Sequence, residues 1–172
     1  MPSKKLTILN AQEIAEKITR MAYQILEDNF EQDVLIFAGI ADRGYTFAQR
    51  LKEEFEKISS KRVKLVKISV NKHDNTSFPE NPTIAIEQAD GQVLILVDDV
   101  LNSGRTLFNG LGMFLHLPLK KIRVAVLIDR NHQRFPILSD FTGLKLSTVL
   151  NEHVSVVLHD KTNREKDVAY LL

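Results

Sequence analysis

VLILVDDVLNSGRT, residues 93–106, is the stretch on which the fold of this chain turns. Its first five residues are apolar without a break, as suits a strand buried on both faces. Two adjacent carboxylates, Asp98 and Asp99, stand at the end of that run and can accept hydrogen bonds from a vicinal diol. Val100 and Leu101 follow, then a turn of small residues, Asn102, Ser103 and Gly104, whose backbone N–H groups can approach an anion closely. The turn opens a helix, and a helix N-terminus favours a phosphate. Ser103 and Thr106 add hydroxyl donors and Arg105 adds positive charge. Diol and phosphate together describe a ribose 5-phosphate. A lone Asp-Asp would read as no more than a helix cap; it is the whole segment that is specific.

Working outward, the neighbouring segments alternate between strand and helix patterns. Residues 10–29 place Ile14, Ile18, Met21, Ala22 and Ile25 at helical spacing, with Asn10 and Glu13 forming a capping-box pattern at the start. Residues 34–38 are a short apolar run closed by Gly39, a second buried strand. Residues 43–58 read as a helix with Phe47, Leu51 and Phe55 on one side, and residues 63–70 as a β-branched strand. After residues 93–97 come a helix over 104–116 and strands over 122–128 and 154–158. Such alternation predicts an α/β fold with a largely parallel sheet, in which ligands bind at the carboxyl ends of the strands. Residues 71–91 are polar and hold Pro79 and Pro82. A connection that long is usually functional.

The 172 residues fit one domain, residues 1–172. With 44% hydrophobic and 26% charged residues, the chain falls outside the disordered and fibrous classes. It has no cysteine, which excludes disulfides and thiolate metal sites and suits a reducing compartment. The first ten residues lack the apolar core of a signal peptide and no run is long enough to span a membrane, so a cytoplasmic protein is expected. A net charge of +1 excludes a strongly basic nucleic-acid binder. The local clusters Lys61, Arg62, Lys64, Lys67 and Lys120, Lys121, Arg123 read as solvated strand edges or helix ends. The five histidines show no metal-ligand spacing, and no G-x-x-x-x-G-K-[ST] occurs.

VLILVDDVLNSGRT resembles the phosphoribosyl pyrophosphate motif of type I phosphoribosyltransferases: an apolar strand, two acidic and two apolar residues, then a turn ending in Gly-x-Thr. FAGIADRGYTFAQRL, residues 37–51, resembles that family's pyrophosphate loop, with Gly39, Asp42, Arg43 and Gly44 at the matching positions. VLIDRNHQRFPILSDFTGLKLST, residues 126–148, and ITRMA, residues 18–22, resemble the pyrimidine-operon attenuator and uracil phosphoribosyltransferase family. The resemblance covers nearly the whole chain. It implies a mainly parallel twisted sheet flanked by helices, a small hood, and a mobile lid loop over residues 71–91. It also implies transfer of ribose 5-phosphate from phosphoribosyl pyrophosphate to a nucleobase, uracil first among them, with pyrophosphate leaving. Asp98 and Asp99 would then hold the ribose hydroxyls as the catalytic pair, and Asn102, Ser103, Gly104, Arg105 and Thr106 the 5-phosphate. Asp42, Arg43 and Gly44 would line the pyrophosphate site, Asp129 and Arg130 would border the base, and Lys72, His73 and Asp74 would belong to the lid. Mg²⁺ is expected with the substrate, held by its oxygens, by waters and by at most one carboxylate, and not by a protein cage. A homodimer or higher homo-oligomer is the family's expectation.

Three departures from the family pattern bear on specificity. Purine phosphoribosyltransferases usually carry an aspartate where this chain has Asn102, and a carboxamide is no general base near neutral pH. Asn102 is not the tyrosine usual in the attenuator family either. The lid reads SVNKHDNTS, residues 69–77, in place of a tyrosine–arginine–aspartate–aspartate cluster, and lysine and arginine differ in geometry. The first helix keeps Thr19 and Arg20, the candidate RNA contacts, but adds Glu13, Glu16, Glu27 and Asp28. Those acids oppose the phosphate contacts that dominate nucleic-acid affinity. Alternatives to a uracil enzyme are an RNA-binding regulator of pyrimidine genes with little turnover, or a purine salvage enzyme.

Overall fold

The computed structural model describes residues 5–69, 86–149, 152–160 and 165–172. In chain order these form β1 (Leu6–Leu9), α1 (Ala11–Asp28), β2 (Val34–Ile40), α2 (Ala41–Ile58), β3 (Arg62–Ile68), α3 (Ile86–Ala89), β4 (Val93–Leu101), α4 (Arg105–Gly112), β5 (Lys121–Asp129), β6 (Phe141–Lys145), β7 (Val154–Val157) and β8 (Val168–Leu171). The expected alternation holds, and β2 to β6 make a five-stranded parallel sheet in the order β3-β2-β4-β5-β6. β1, β8 and β7 form a separate three-stranded antiparallel sheet, which is the small hood.

The apolar runs of β2 and β4 occupy the centre of the sheet because both of their faces are covered. Leu35, Phe37, Val93, Ile95 and Val97 face α1 and α2, where Ile14, Met21, Ile25, Phe47, Leu51 and Phe55 complete one core. Ile36, Ala38, Leu94 and Leu96 face the other way, toward Leu107, Phe114 and Leu117. α1 starts with the expected capping box: Glu13 N–H donates to Asn10 Oδ1, and Asn10 N–H to the Glu13 carboxylate.

Boundaries differ from the sequence reading in instructive ways. β4 continues through both aspartates to Leu101, so the acid pair lies within the strand and not after it. β2 likewise runs past Gly39 to Ile40, and α2 begins at Ala41. α4 ends at Gly112, four residues earlier than periodicity predicts. β1, β6 and β8 were not anticipated; they are four or five residues long, and β6 is interrupted by Gly143. Most of the expected lid, Lys72, His73 and Asp74 included, lies outside the described residues. Among the described residues no helix is long and apolar enough to cross a membrane.

Strand order decides where a ligand can bind. From β2 the chain passes to β3 on one side and then back to β4 on the other. The carboxyl ends of β2 and β4 therefore diverge in their connections, and a crevice opens there. The carboxyl ends of these two strands and the turns that follow them lie within the 37–51 and 93–106 segments.

Candidate active site

Two glycines bring those segments together. A Cβ on Gly39 would stand 2.5 Å from Tyr45 Cα, so only glycine lets the first turn of α2 fold back over the end of β2. A Cβ on Gly44 would stand 2.9 Å from the Val97 carbonyl and 3.1 Å from Asp98 Oδ1. Gly44 is thus the residue that lets α2 begin against the acid pair. Ala41 between them has φ 52°, a left-handed conformation that non-glycine residues seldom hold and that clusters at functional sites. Ile40, the cap of α2, supplies no side-chain hydrogen bond, and an N-terminus without a side-chain cap is suited to an anion. Arg43 is exposed on that turn. Asp42 pairs with Lys67 Nζ at 2.6 Å at the end of β3, and Lys67 lies over the Tyr45 ring.

Asp98 and Asp99 stand between this turn and the next loop. Asp98 Oδ1 accepts the Asp99 N–H and Asp99 Oδ1 accepts the Val100 N–H, each at 2.9 Å. Asp99 Oδ2 is buried with no partner among the described residues. Burial, and after it the adjacent Asp99 charge, pushes the Asp98 carboxyl well above the usual carboxylate range. Burial raises Asp99 as well, against the opposing effects of Asp98 and the Arg43 charge. A buried carboxylate with an unsatisfied oxygen needs a donor or a cation from elsewhere.

The loop after β4 is shaped from outside. Arg134 and Phe135 N–H both donate to the Ser103 carbonyl, at 2.8 and 3.1 Å. In a trans peptide this points the following Gly104 N–H the opposite way. Gly104 has φ 81°, and a Cβ there would stand 2.6 Å from Ile137 Cγ2. α4 then opens with Phe108 N–H donating to the Gly104 carbonyl, leaving the earlier amides free of helix bonds. A cavity of about 50 Å³ is bounded by Asp98, Asn102, Ser103, Gly104, Arg105 and Thr106. A second, of about 300 Å³, lies between Asp42, Arg43 and Thr46 on α2 and Val156, Val157 and Asp160 of the hood side. A larger one, of about 770 Å³, lies against the hood at Lys5, Gln12 and Tyr170 and includes none of these candidate residues.

Asp129 and Arg130, read from the sequence as bordering a base, reach the right end of the sheet but turn their side chains inward. Asp129 Oδ1 accepts from Asn131 N–H and Gln133 Nε2, and its Oδ2 from Ser139 Oγ, so the carboxylate organises the following turn. Arg130 is 6% exposed and bonds Asn102, Thr148 and the Glu152 carbonyl. Thr19 donates to Glu54 on α2, and Arg20 donates to the Thr142 and Gly143 carbonyls of edge strand β6. Thr19 is thus engaged within the fold, whereas Arg20 stays exposed on α1 with its guanidinium bonded to those two carbonyls. Lys67, Phe135, Ile137 and Thr148 were missed by sequence reasoning. Phe135, with the Arg105 guanidinium over its ring, lay within a quoted motif that could have pointed to it. Among the described residues no group of three or more histidines and carboxylates could hold a metal.

The phosphoribosyl transferase domain family matches residues 5–163. The chain is 33% identical over 175 residues to the bifunctional protein PyrR of Pelotomaculum thermopropionicum, covering 98% of this chain and 97% of that relative. It is 34% identical over 170 residues to the protein of the same name from Clostridium kluyveri, covering 94% and 96%. Among solved structures, the hypoxanthine phosphoribosyltransferase of Trypanosoma cruzi superposes with a TM-score of 0.77 at 18% identity, over 95% of this chain and 94% of that one. A hypoxanthine-guanine phosphoribosyltransferase of Bacillus anthracis gives 0.75 at 21% identity, over 96% and 97%. At such identities these two structures speak for the fold alone.

Proposed function

This chain belongs to the phosphoribosyl transferase domain family, and from that premise we propose that it transfers ribose 5-phosphate from phosphoribosyl pyrophosphate to uracil. The observation that carries the reading is the convergence, at one switch point, of an acid pair with an unsatisfied buried oxygen and two helix N-termini without side-chain caps. Asp98 and Asp99 bind the ribose hydroxyls, whose O–H groups supply the donor that Asp99 Oδ2 lacks. Ser103, Gly104, Arg105 and Thr106 hold the 5-phosphate in the small cavity, with Asn102 at its edge. The first turn of α2, with Asp42, Arg43 and Gly44, receives the pyrophosphate.

During transfer the bond from C1 of the ribose to pyrophosphate oxygen breaks, and a bond from C1 to the ring nitrogen forms as that nitrogen gives up its proton to water or to the departing pyrophosphate. Charge builds on the leaving pyrophosphate, so first-turn amides and Arg43 stabilise it more as the reaction proceeds. Holding ribose and base in one crevice supplies the rest by proximity. Two adjacent carboxylates without a third ligand fit Mg²⁺ shared with substrate oxygens and waters, where it would neutralise phosphate charge.

Uracil is favoured by the resemblance of residues 126–148 to the pyrimidine-operon attenuator and uracil phosphoribosyltransferase family and by a carboxamide at Asn102, which cannot act as a base toward a purine. RNA binding has less support, because Thr19 is bonded to Glu54 and the exposed Arg20 is held by backbone carbonyls of β6. A homo-oligomer belongs to the same proposal; Tyr23 on α1 and Phe108 and Leu115 beside α4 offer exposed apolar surface.

The test is pyrophosphate release from phosphoribosyl pyrophosphate and Mg²⁺ with uracil, orotate, hypoxanthine and guanine offered separately. Release with uracil alone is expected. Release with a purine alone would move the assignment to purine salvage, and release with none would refute the enzyme reading.

A further inference from the structure

Arg130 follows the last residue of β5, and its buried guanidinium turns across the sheet end instead of into solvent. Nη1 donates to Asn102 Oδ1 at 2.8 Å. Nε and Nη2 donate to Thr148 Oγ1 at 3.0 and 2.9 Å, and Nη2 also to the Glu152 carbonyl at 2.6 Å. A guanidinium has only donors. The Asn102 atom it holds is therefore the carboxamide oxygen, which removes the usual ambiguity about which end of an asparagine points where. The amide nitrogen faces away from Arg130 and makes no hydrogen bond among the described residues. Asn102 also bounds the small cavity beside Asp98.

Resting on the phosphoribosyltransferase reading, we propose that Arg130 is a positioning residue that fixes Asn102 as a hydrogen-bond donor, so that this point of the site reads a lone pair on the bound nucleotide and rejects an N–H. An asparagine free to turn over would offer either end and discriminate nothing. Here turning it over would set N–H₂ against a guanidinium and leave a charged donor unpaired. Two atoms of a nucleotide can supply the lone pair, a carbonyl oxygen of the base or an oxygen of the 5-phosphate. The shared chemistry is an acceptor.

The experiment is calorimetric titration of wild-type protein, Asn102→Ala, Arg130→Lys and the double variant with uridine 5′-monophosphate and, separately, ribose 5-phosphate. Asn102→Ala is expected to weaken uridine 5′-monophosphate about tenfold, the loss of one hydrogen bond. Arg130→Lys keeps the charge but loses the fork that holds two partners, and a similar loss is expected. The double variant is expected to be no weaker than either single one, because both remove the same contact. Losses that add would overturn the proposal, since Arg130 would then act through Thr148 and Glu152 and not through Asn102. Asn102→Asp turns the free end from donor to acceptor and is expected to weaken binding more than alanine does; tighter binding would also overturn it. A loss confined to uridine 5′-monophosphate puts the acceptor on the base, and an equal loss for ribose 5-phosphate puts it on the phosphate; either supports the donor. Wild-type protein that binds neither probe would instead sink the phosphoribosyltransferase reading.

Discussion

Asp98 and Asp99 sit where their charge is costly. Asp99 Oδ2 is buried and unpartnered, a condition worth about 1–3 kcal/mol of lost stability. Both carboxyls are raised by burial, Asp98 further by its neighbour's charge. The folded protein therefore holds protons that the unfolded chain releases in the ordinary carboxylate range. Stability from this source is full below that range and is lost as pH rises through the raised values. Asp98→Asn, which cannot ionise, is thus expected to gain on the order of 1 kcal/mol over wild type at pH 8 and less at pH 4, read by thermal melts at both. A variant no more stable at pH 8 would place the cost elsewhere. Asp99→Asn is expected to lower kcat/KM at least about tenfold, the low end for a hydrogen bond to a charged group; unchanged turnover would remove Asp99 from the ribose site. These residues were legible because a carboxylate pair after an apolar run has few bland explanations. Side-chain direction was not legible. Asp129 and Arg130 reach the end of β5 as read, but a sequence does not say that Asn131, Gln133, Ser139 and Thr148 will satisfy them from within.

Among elements, the junction of β2, α2 and β4 sets the geometry. Gly44 belongs to a helix, where glycine costs about 1 kcal/mol against alanine, and the structure shows what offsets this. The space for a Cβ is taken by a backbone carbonyl and the Asp98 carboxylate. Gly44→Ala is expected to destabilise the protein by about 1–3 kcal/mol, as overpacking does, and to weaken phosphoribosyl pyrophosphate binding together with it. Urea denaturation and ligand titration read the two effects, and a variant of normal stability and affinity would show that the helix can shift freely. The sequence marked this glycine as a loop residue presenting amides, whereas its place in the fold is a helix-to-strand contact. The same limit applies to β4. Charge conventionally ends a buried strand in a sequence reading, yet pairing with β5 continues through to Leu101, with Asp98 bordering the small cavity beyond and Asp99 buried. Short elements escaped for a different reason. β6 is paired only on one side, to β5, and carries Gly143 against the Leu127 carbonyl, so its pattern is too brief to show period two.

Across the whole molecule, the parallel sheet and the hood are separate sheets that share one apolar core through Val154, Val156 and Ala169 and are tied by polar contacts at α2. Arg50 holds Asp167 through two hydrogen bonds, at 3.2 and 2.8 Å, and the same carboxylate accepts the His159 N–H. Thr46 on the same helix donates to Asp160. The cavity of about 300 Å³ between Arg43 and Val157 has one wall on α2 and the other on the hood, so its width depends on this joint. Asp167 is only 8% exposed, and removing its cation leaves a buried carboxylate with one backbone donor. Arg50→Ala is therefore expected to release the hood by about 1–3 kcal/mol, while the parallel sheet, whose core lies between α1, α2 and α4, keeps its stability. Hydrogen exchange separates these outcomes, because local opening raises exchange in β1, β7 and β8 alone. Ligand affinity should fall in step with hood exchange, since the second wall of the cavity is then present for a smaller fraction of the time. Equal acceleration in β2, β4 and β7 would instead mean that hood and sheet unfold as one unit, with Arg50 contributing to the whole fold and not to the cavity between its parts.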